Sequence, residues 1–205
     1  MIIYSQYGYT FILTAQHVVA YGDHPTVITQ YNDQSYSFTI MEEDIVSDLA
    51  ILKLNSYNNF GCPVKFLKKE REVLIYEPIY SVGHTLGKEL IVTSGEIASL
   101  GRTWSNEQKY ITVNSPVYGG SSGGPTYIAI KKWYERLPTY YVMGMISKGD
   151  SYHGLMIPHI VYMEDYRTII NFLEQRDLYF ILDQKQTPLQ YLEKRRLFNE
   201  EKKDR

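Results

Sequence analysis

Between Ile2 and Ile160, apolar residues come in short runs, often alternating with polar ones and punctuated by Gly, Pro, Asn and Asp. A period of two with such breaks is the mark of half-buried strands joined by tight turns. The pattern predicts strands over Met1–Ser5, Tyr9–Thr14, Thr26–Tyr31, Ser35–Met41 and from Leu49 to Leu54. It predicts further strands over Val73–Val82, Leu90–Leu100, Tyr110–Val113, Thr126–Lys132, Thr139–Ser147 and Gly154–Pro158. Glu42-Glu43-Asp44 reads as an acidic turn and Lys148–His153 as a loop. Helical spacing appears near the end, at 163–174, where Tyr166, Ile169, Ile170 and Leu173 fall on one face. The polar stretch Asn55–Gly61 divides the strands into two halves, about 1–61 and 62–160. The residues from 179 to 205 read as a charged tail, able to form a peripheral helix. The whole is an all-β sandwich or barrel architecture with a C-terminal helix.

Composition narrows the picture in three ways. Lys and Arg number 21 against 23 Asp and Glu, so the balance of charge offers no argument for a nucleic acid or an anionic membrane as partner. Cys62 is the one cysteine, which excludes an internal disulfide and reads as a small buried apolar residue. No metal-ligand spacing is present and no cofactor is expected. No apolar run is long enough for a membrane span, and no signal peptide is visible at Met1, so the expected compartment is cytoplasmic by default.

The stretch that stands apart is Gly119-Gly120-Ser121-Ser122-Gly123-Gly124-Pro125, with four glycines and two serines in seven residues. Such a run forms neither a helix nor a packed strand; on its own it reads equally as a flexible loop. Its other reading is a tight turn that presents a hydroxyl beside unpaired N–H groups, the requirement for a nucleophile with an oxyanion hole. His17 lies just past a strand end and alone reads as a core residue. Asp48 begins a strand and alone reads as a turn residue. Together the order His17, Asp48, Ser122 is that of serine proteases built from two β-barrels, not the Ser…Asp…His order of α/β-hydrolases.

The stretches Ile12-Leu13-Thr14-Ala15-Gln16-His17-Val18-Val19, Ser47-Asp48-Leu49-Ala50-Ile51-Leu52 and Gly120-Ser121-Ser122-Gly123-Gly124-Pro125 resemble the three catalytic motifs of trypsin-like serine peptidases, with the HtrA/Deg branch nearest. Tyr80–Gly87 and Val92–Arg102 fit the same family. The resemblance covers roughly Met1 to Leu178. It implies two perpendicular six-stranded β-barrels of the chymotrypsin type, with the active site in the cleft between them. It implies an acyl-enzyme mechanism with His17, Asp48 and Ser122 as catalytic residues and the N–H groups of Gly120 and Ser122 as the oxyanion hole. Pro116, Val117, Ser147, Gly149 and Gly154 would line the specificity pocket. None is acidic, and Val117 would make the pocket shallow and apolar, suited to small or medium aliphatic residues. Lys148 reads as a solvated lysine. The partner is a polypeptide substrate.

Four departures qualify the resemblance. The chain starts almost at the first barrel's early strand, so that barrel is expected to be open or completed by another chain, as in a homo-oligomer. The segment after Pro158 is too short for a helix plus a PDZ domain. Ser121 stands where chymotrypsin-type zymogens carry an aspartate, so activation by N-terminal cleavage is not expected. The hairpin over Thr126–Tyr141 is long and aromatic. Two other readings share these residues: a catalytically silent protease fold acting as a binding or assembly module, and an esterase or other acyl transferase.

Overall fold

The computed structural model describes residues 1–20, 26–28, 33–87, 89–103, 109–153, 155–183 and 185–203. In the first half, β1 (Ile2–Gln6), β2 (Tyr9–Ala15), β5 (Phe38–Asp44) and β6 (Leu49–Leu54) form an antiparallel sheet in the order β1-β2-β6-β5. Two short strands, β3 (Val27–Ile28) and β4 (Ser35–Tyr36), pair with each other as a separate ribbon. In the second half, β7 (Pro78–Gly83), β8 (Ile91–Thr103), β9 (Lys109–Asn114), β10 (Pro125–Ile130), β11 (Thr139–Tyr152) and β12 (Leu155–Asp165) make a closed barrel. Closure comes from β7 and β10, where Ile79 lies opposite Ile128 and Ser81 opposite Thr126. Helices follow: α1 (Gln16–Ala20), between β2 and the ribbon, then α2 (Tyr166–Gln175), α3 (Tyr179–Leu182) and α4 (Leu189–Lys203).

The molecule is therefore mostly β, with one closed six-stranded barrel and one open sheet; the resemblance implied two barrels, and the departure at the start of the chain an open first one. Among the described residues, the two strands that would help close the first half are two residues long and pair only with each other. The sheet buries both of its faces instead. Phe11, Leu13, Ala15, Leu49 and Ile51 point one way, into a core built with Phe172, Leu173, Leu178, Phe180, Ile181 and Tyr191. Their neighbours Ile12, Ala50, Leu52 and Leu54 point the other way, against Val27, Tyr36, Phe38 and Phe60. The period of two thus serves two cores at once, which is why β2 and β6 read as nearly continuous apolar runs.

Helix α2 joins the halves. Ile169, Phe172 and Leu173 enter the core under the open sheet, whereas Tyr166 and Ile170 enter the barrel core. Asp165 caps its N-terminus by accepting a hydrogen bond from Arg167 N at 2.9 Å, a contact typically worth about 1 kcal/mol. Burial raises the Asp165 carboxyl above the usual range, against the pull of the Arg167 amide and guanidinium.

Several local expectations shift. Glu42, Glu43 and Asp44 are the end of β5, opposite Ile51, Ala50 and Leu49, not a turn. The strand expected over 73–82 forms only from Pro78, and Leu74, Ile75 and Tyr76 stand exposed. β11 runs on to Tyr152, through the segment expected as a loop. The helix expected at 163–174 begins at Tyr166, because 163–165 complete β12. Cys62 is exposed, not buried, since it follows the Gly61 turn between the two halves. The segment expected as a charged tail carries α3 and α4, and its Phe180, Ile181 and Tyr191 belong to the core.

Candidate active site

His17 and Asp48 come from the open sheet. The chain leaves β2 straight into the single turn of α1, which carries His17. Asp48 ends the turn before β6 with φ of 51°, a left-handed conformation that aspartate tolerates better than most residues. The two segments lock together. Gln16 N donates to the Asp48 carbonyl at 3.1 Å, and His17 N donates to Asp48 Oδ1 at 3.0 Å. The imidazole Nδ1 lies 2.8 and 2.9 Å from the two carboxylate oxygens. An Nδ1–H donated to the carboxylate leaves Nε2 with its lone pair, the tautomer a general base needs.

Ser147, from β11 of the barrel, reaches across the halves. Its buried hydroxyl donates to Asp48 Oδ2 at 2.7 Å. The carboxylate thus holds three donors: an amide, an imidazole and a hydroxyl.

Ser122 comes from the glycine loop. Two backbone bonds tie that loop to β11: Gly123 N donates to Ile146 O at 2.8 Å, and Ile146 N to Gly124 O at 2.9 Å. Gly123 has φ of 81°, and a Cβ there would come within 2.3 Å of Thr14 Oγ1. Only glycine lets the loop pass this close to the end of β2, where His17 begins. Ser122 Oγ donates to the Ser147 carbonyl at 3.2 Å. It does not bond to His17 in this arrangement.

The Gly119 carbonyl accepts from Leu86 N at 2.7 Å. A trans peptide carries C=O and N–H on opposite sides, so this bond turns the Gly120 N–H away from Leu86. Among the described residues, neither Gly120 N nor Ser122 N donates to any acceptor. Of these two residues Ser122 lines the cleft described below, whereas Gly120 is not among its lining residues.

His17, Asp48 and Ser122 line one cleft of about 550 Å³, a volume in the range of ligand sites. Of the residues expected to line the pocket, Val117, Ser147 and Gly149 do so; Pro116 does not, and Gly154 lies outside the described residues. Ile45, Val46, Tyr110 and Tyr118 complete the walls without having been singled out in sequence. Lys148 is exposed, as expected of a solvated lysine, and it also leans on Tyr110: its Nζ donates to the Tyr110 hydroxyl at 3.2 Å and lies 4.4 Å from that ring's centroid. β10 begins at Pro125, opposite Met145, so the second edge of β11 at 147–149 has no strand paired to it among the described residues.

A trypsin-like peptidase domain model matches residues 1–128, more than half of the chain. The chain belongs to this family. Among its relatives, a probable periplasmic DegP-like serine endoprotease of Hahella chejuensis is 32% identical over 127 residues, 61% of this chain and 26% of the relative. A DegP-like relative from Pseudomonas fluorescens is 30% identical over 120 residues, 57% of this chain and 24% of the relative. A Do-like serine protease, HtrB, of Bacillus subtilis is 26% identical over 129 residues, 56% of this chain and 26% of the relative. This trypsin-like peptidase chain therefore spans about a quarter of the length of the relatives it matches, and the similarity to the DegP group is distant.

Proposed function

We propose that this protein is a serine endopeptidase in which Ser122 is the nucleophile, His17 the general base and acid, and Asp48 the group that orients and charges-balances His17. The observation that carries the reading is the double approach of the Asp48 carboxylate to His17 Nδ1, with Ser122 lining the same cleft. A rotation about the Ser122 Cα–Cβ bond, between staggered wells, moves its hydroxyl from the Ser147 carbonyl towards Nε2. Oγ then attacks the scissile carbonyl carbon while its proton passes to His17. The oxyanion is held by the N–H groups of Gly120 and Ser122, each such donor being worth about 3 kcal/mol in the barrier. His17 returns the proton to the leaving amine, which departs and leaves an acyl-enzyme. Water, deprotonated by the same imidazole, releases the acid and restores Ser122. Asp48 keeps its charge throughout.

The open sheet is, in this reading, the chain's counterpart of the first barrel of the two-barrel fold. Substrate adds as a strand to the free edge of β11 at Ser147–Gly149. Its side chain before the scissile bond enters the wall formed by Val117 and Ile146, which suits a small or medium apolar residue. Asp48 is the acidic residue in the lining, and His17 and Ser147 already occupy it, so no counter-charge invites Lys or Arg.

A fluorophosphonate probe tests the assignment. Wild type is expected to label rapidly, whereas Ser122→Ala and His17→Ala do not. A folded wild type that stays unlabelled overturns it and leaves the binding-module reading, which the bond from Ser122 to the Ser147 carbonyl would then describe as the permanent state. Cleavage of alanine or valine peptides over lysine peptides tests the specificity.

A further inference from the structure

Lys148 lines the cleft, yet the triad chemistry makes no use of it. Apart from the imidazole of His17, the charged side chains of the described lining are Lys148 and Asp48. The Asp48 carboxylate already holds His17 N, His17 Nδ1 and the Ser147 hydroxyl. The cleft therefore pairs one engaged carboxylate with one exposed ammonium. Two further carboxylates lie on the same strand pair, and neither lines the cleft. Asp150 accepts from the Tyr162 hydroxyl at 2.6 Å and from Ser151 N at 2.9 Å, and Glu164 is fully buried.

The ammonium is placed rather than loose. Tyr110, the residue it leans on, is 2% exposed and sits within the barrel sheet, so the ring and hydroxyl form a fixed platform at the cleft wall. A cation over a ring face is held there by the ring's own field. An ammonium has three N–H donors and no acceptor, so it can hold a substrate carboxylate together with the Tyr110 hydroxyl.

Strand register decides which substrate residue meets it. Ser122 Oγ lies 3.2 Å from the Ser147 carbonyl. A peptide whose carbonyl carbon sits at Oγ brings the N–H of that same residue to the Ser147 carbonyl. Antiparallel pairing along the free edge of β11 then sets the second residue before the scissile bond beside Lys148 and the third beside Gly149. Successive side chains project to opposite faces. The residue just before the scissile bond turns to Ile146, a barrel-core residue. The second turns to the other face, where Lys148 lies opposite Tyr162 and over Tyr110. Residues opposite each other across an antiparallel pair share a face, and opposite charges there attract. We propose that Lys148 is a specificity-determining residue that selects Glu or Asp at the second position before the scissile bond, an inference that rests on the endopeptidase reading of the same cleft.

Internally quenched peptides that carry alanine before the scissile bond and differ only at the preceding residue (Glu, Gln or Lys) test this, alongside fluorophosphonate labelling of Ser122. For the full chain, kcat/KM is expected to be about fivefold higher with Glu than with Gln and lower again with Lys, and the gap to narrow as salt rises. Glu at the third position, which faces the other way, is expected to bring no such gain. Lys148→Met keeps most of the apolar stem and is expected to bring the Glu and Gln peptides level. Lys148→Glu is expected to reverse the order, with Lys preferred over Glu. Tyr110→Phe keeps the ring and removes the hydroxyl, and is expected to narrow the preference for Glu. Ratios between peptides within one variant are independent of how much of that variant is folded. A wild type that labels and cleaves all three peptides equally, or a preference for Glu that survives Lys148→Met, overturns the inference and leaves the endopeptidase reading standing. A folded wild type that neither labels nor cleaves overturns both.

Discussion

The two halves of this molecule reach a stable sheet by opposite routes. The barrel closes on itself: β7 and β10 pair, and every barrel strand gains two neighbours. The first sheet has free ends in its order and depends on what covers its faces. One cover is the β3–β4 ribbon; the other is the set of helices from the far end of the chain. The consequence for the site is direct. Ser122 and Ser147 belong to the self-sufficient half, whereas His17 and Asp48 belong to the half that α2, α3 and α4 hold in place. Chemistry that needs all of these groups needs the C-terminal helices as well, although none of them lines the cleft.

The sharpest test asks whether residues from the two halves act as one unit. Ser122→Ala removes the nucleophile from the barrel side and His17→Ala removes the base from the sheet side. Each is expected to reduce kcat/KM for a peptide substrate by about 10⁴- to 10⁶-fold. The double variant is expected to be no worse than either single one, since neither group works without the other. Additive losses would mean that the halves contribute separately.

Next in size is a cavity under each half. Phe180→Ala, in α3, removes a buried ring packed edge to face against Tyr4 and Phe11. Ile79→Ala removes a fully buried barrel side chain. Each is expected to cost about 3–4 kcal/mol. Amide hydrogen exchange separates them. In Phe180→Ala, the β2 and β6 amides are expected to lose protection while those of β8 and β9 keep most of theirs; in Ile79→Ala the order reverses. Uniform loss in both would mean one cooperative unit, with no independent barrel.

The smaller reach of sequence follows the same division. The barrel strands and the serine loop were legible because their signals are local: alternation, glycine breaks and a motif that needs positive φ. The open state of the first sheet was expected only as a departure from the resemblance, and alternation alone does not record it, because closure depends on which strands pair. The role of the C-terminal segment was hidden by its charge, since among its described residues Phe180, Ile181 and Tyr191, with Leu192 packed beside them, carry it into the core. The contact between His17 and Asp48 was anticipated only through the resemblance; alone each looked structural. Ser147 was read as pocket wall, but its hydroxyl turns to Asp48. The β11–β12 pairing shifts register between Ile146 and Lys148. A bulge of that kind re-aims side chains and leaves no mark in the hydrophobic pattern.

Among the described residues, Ser147→Ala cuts the one side-chain hydrogen bond that runs from the barrel to Asp48. Hydrogen bonds to a charged acceptor contribute about 1.5–3 kcal/mol. The carboxylate retains His17 N and Nδ1, so a loss at the lower end is expected, about tenfold in kcat/KM. The unfolding midpoint is expected to move little. A large fall in stability with unchanged turnover would recast Ser147 as a structural tie between the halves.

The smallest effect tests how closely the outermost helix matters to the sheet. Tyr191, on α4, donates its hydroxyl to Glu42 Oε1 on β5 at 2.8 Å, and Arg195 and Arg176 approach the same carboxylate. Burial and the nearby Glu42 charge raise the Tyr191 phenol well above its usual range, so it stays a donor across the physiological range. Arg176 continues to Asp44, whose Oδ1 accepts from Val46 N at 2.9 Å in the turn that leads to Asp48. Tyr191→Phe removes the hydroxyl and keeps the ring. Because two guanidinium groups still hold Glu42, the expected cost is about 0.5–1 kcal/mol. It is read as a lower denaturant midpoint at unchanged slope. Turnover is expected to fall less than twofold, as the turn before Asp48 keeps its own hydrogen bonds. A fall as large as that of Ser147→Ala, with stability preserved, would show that α4 controls the geometry of His17 and Asp48 and does more than cover the sheet.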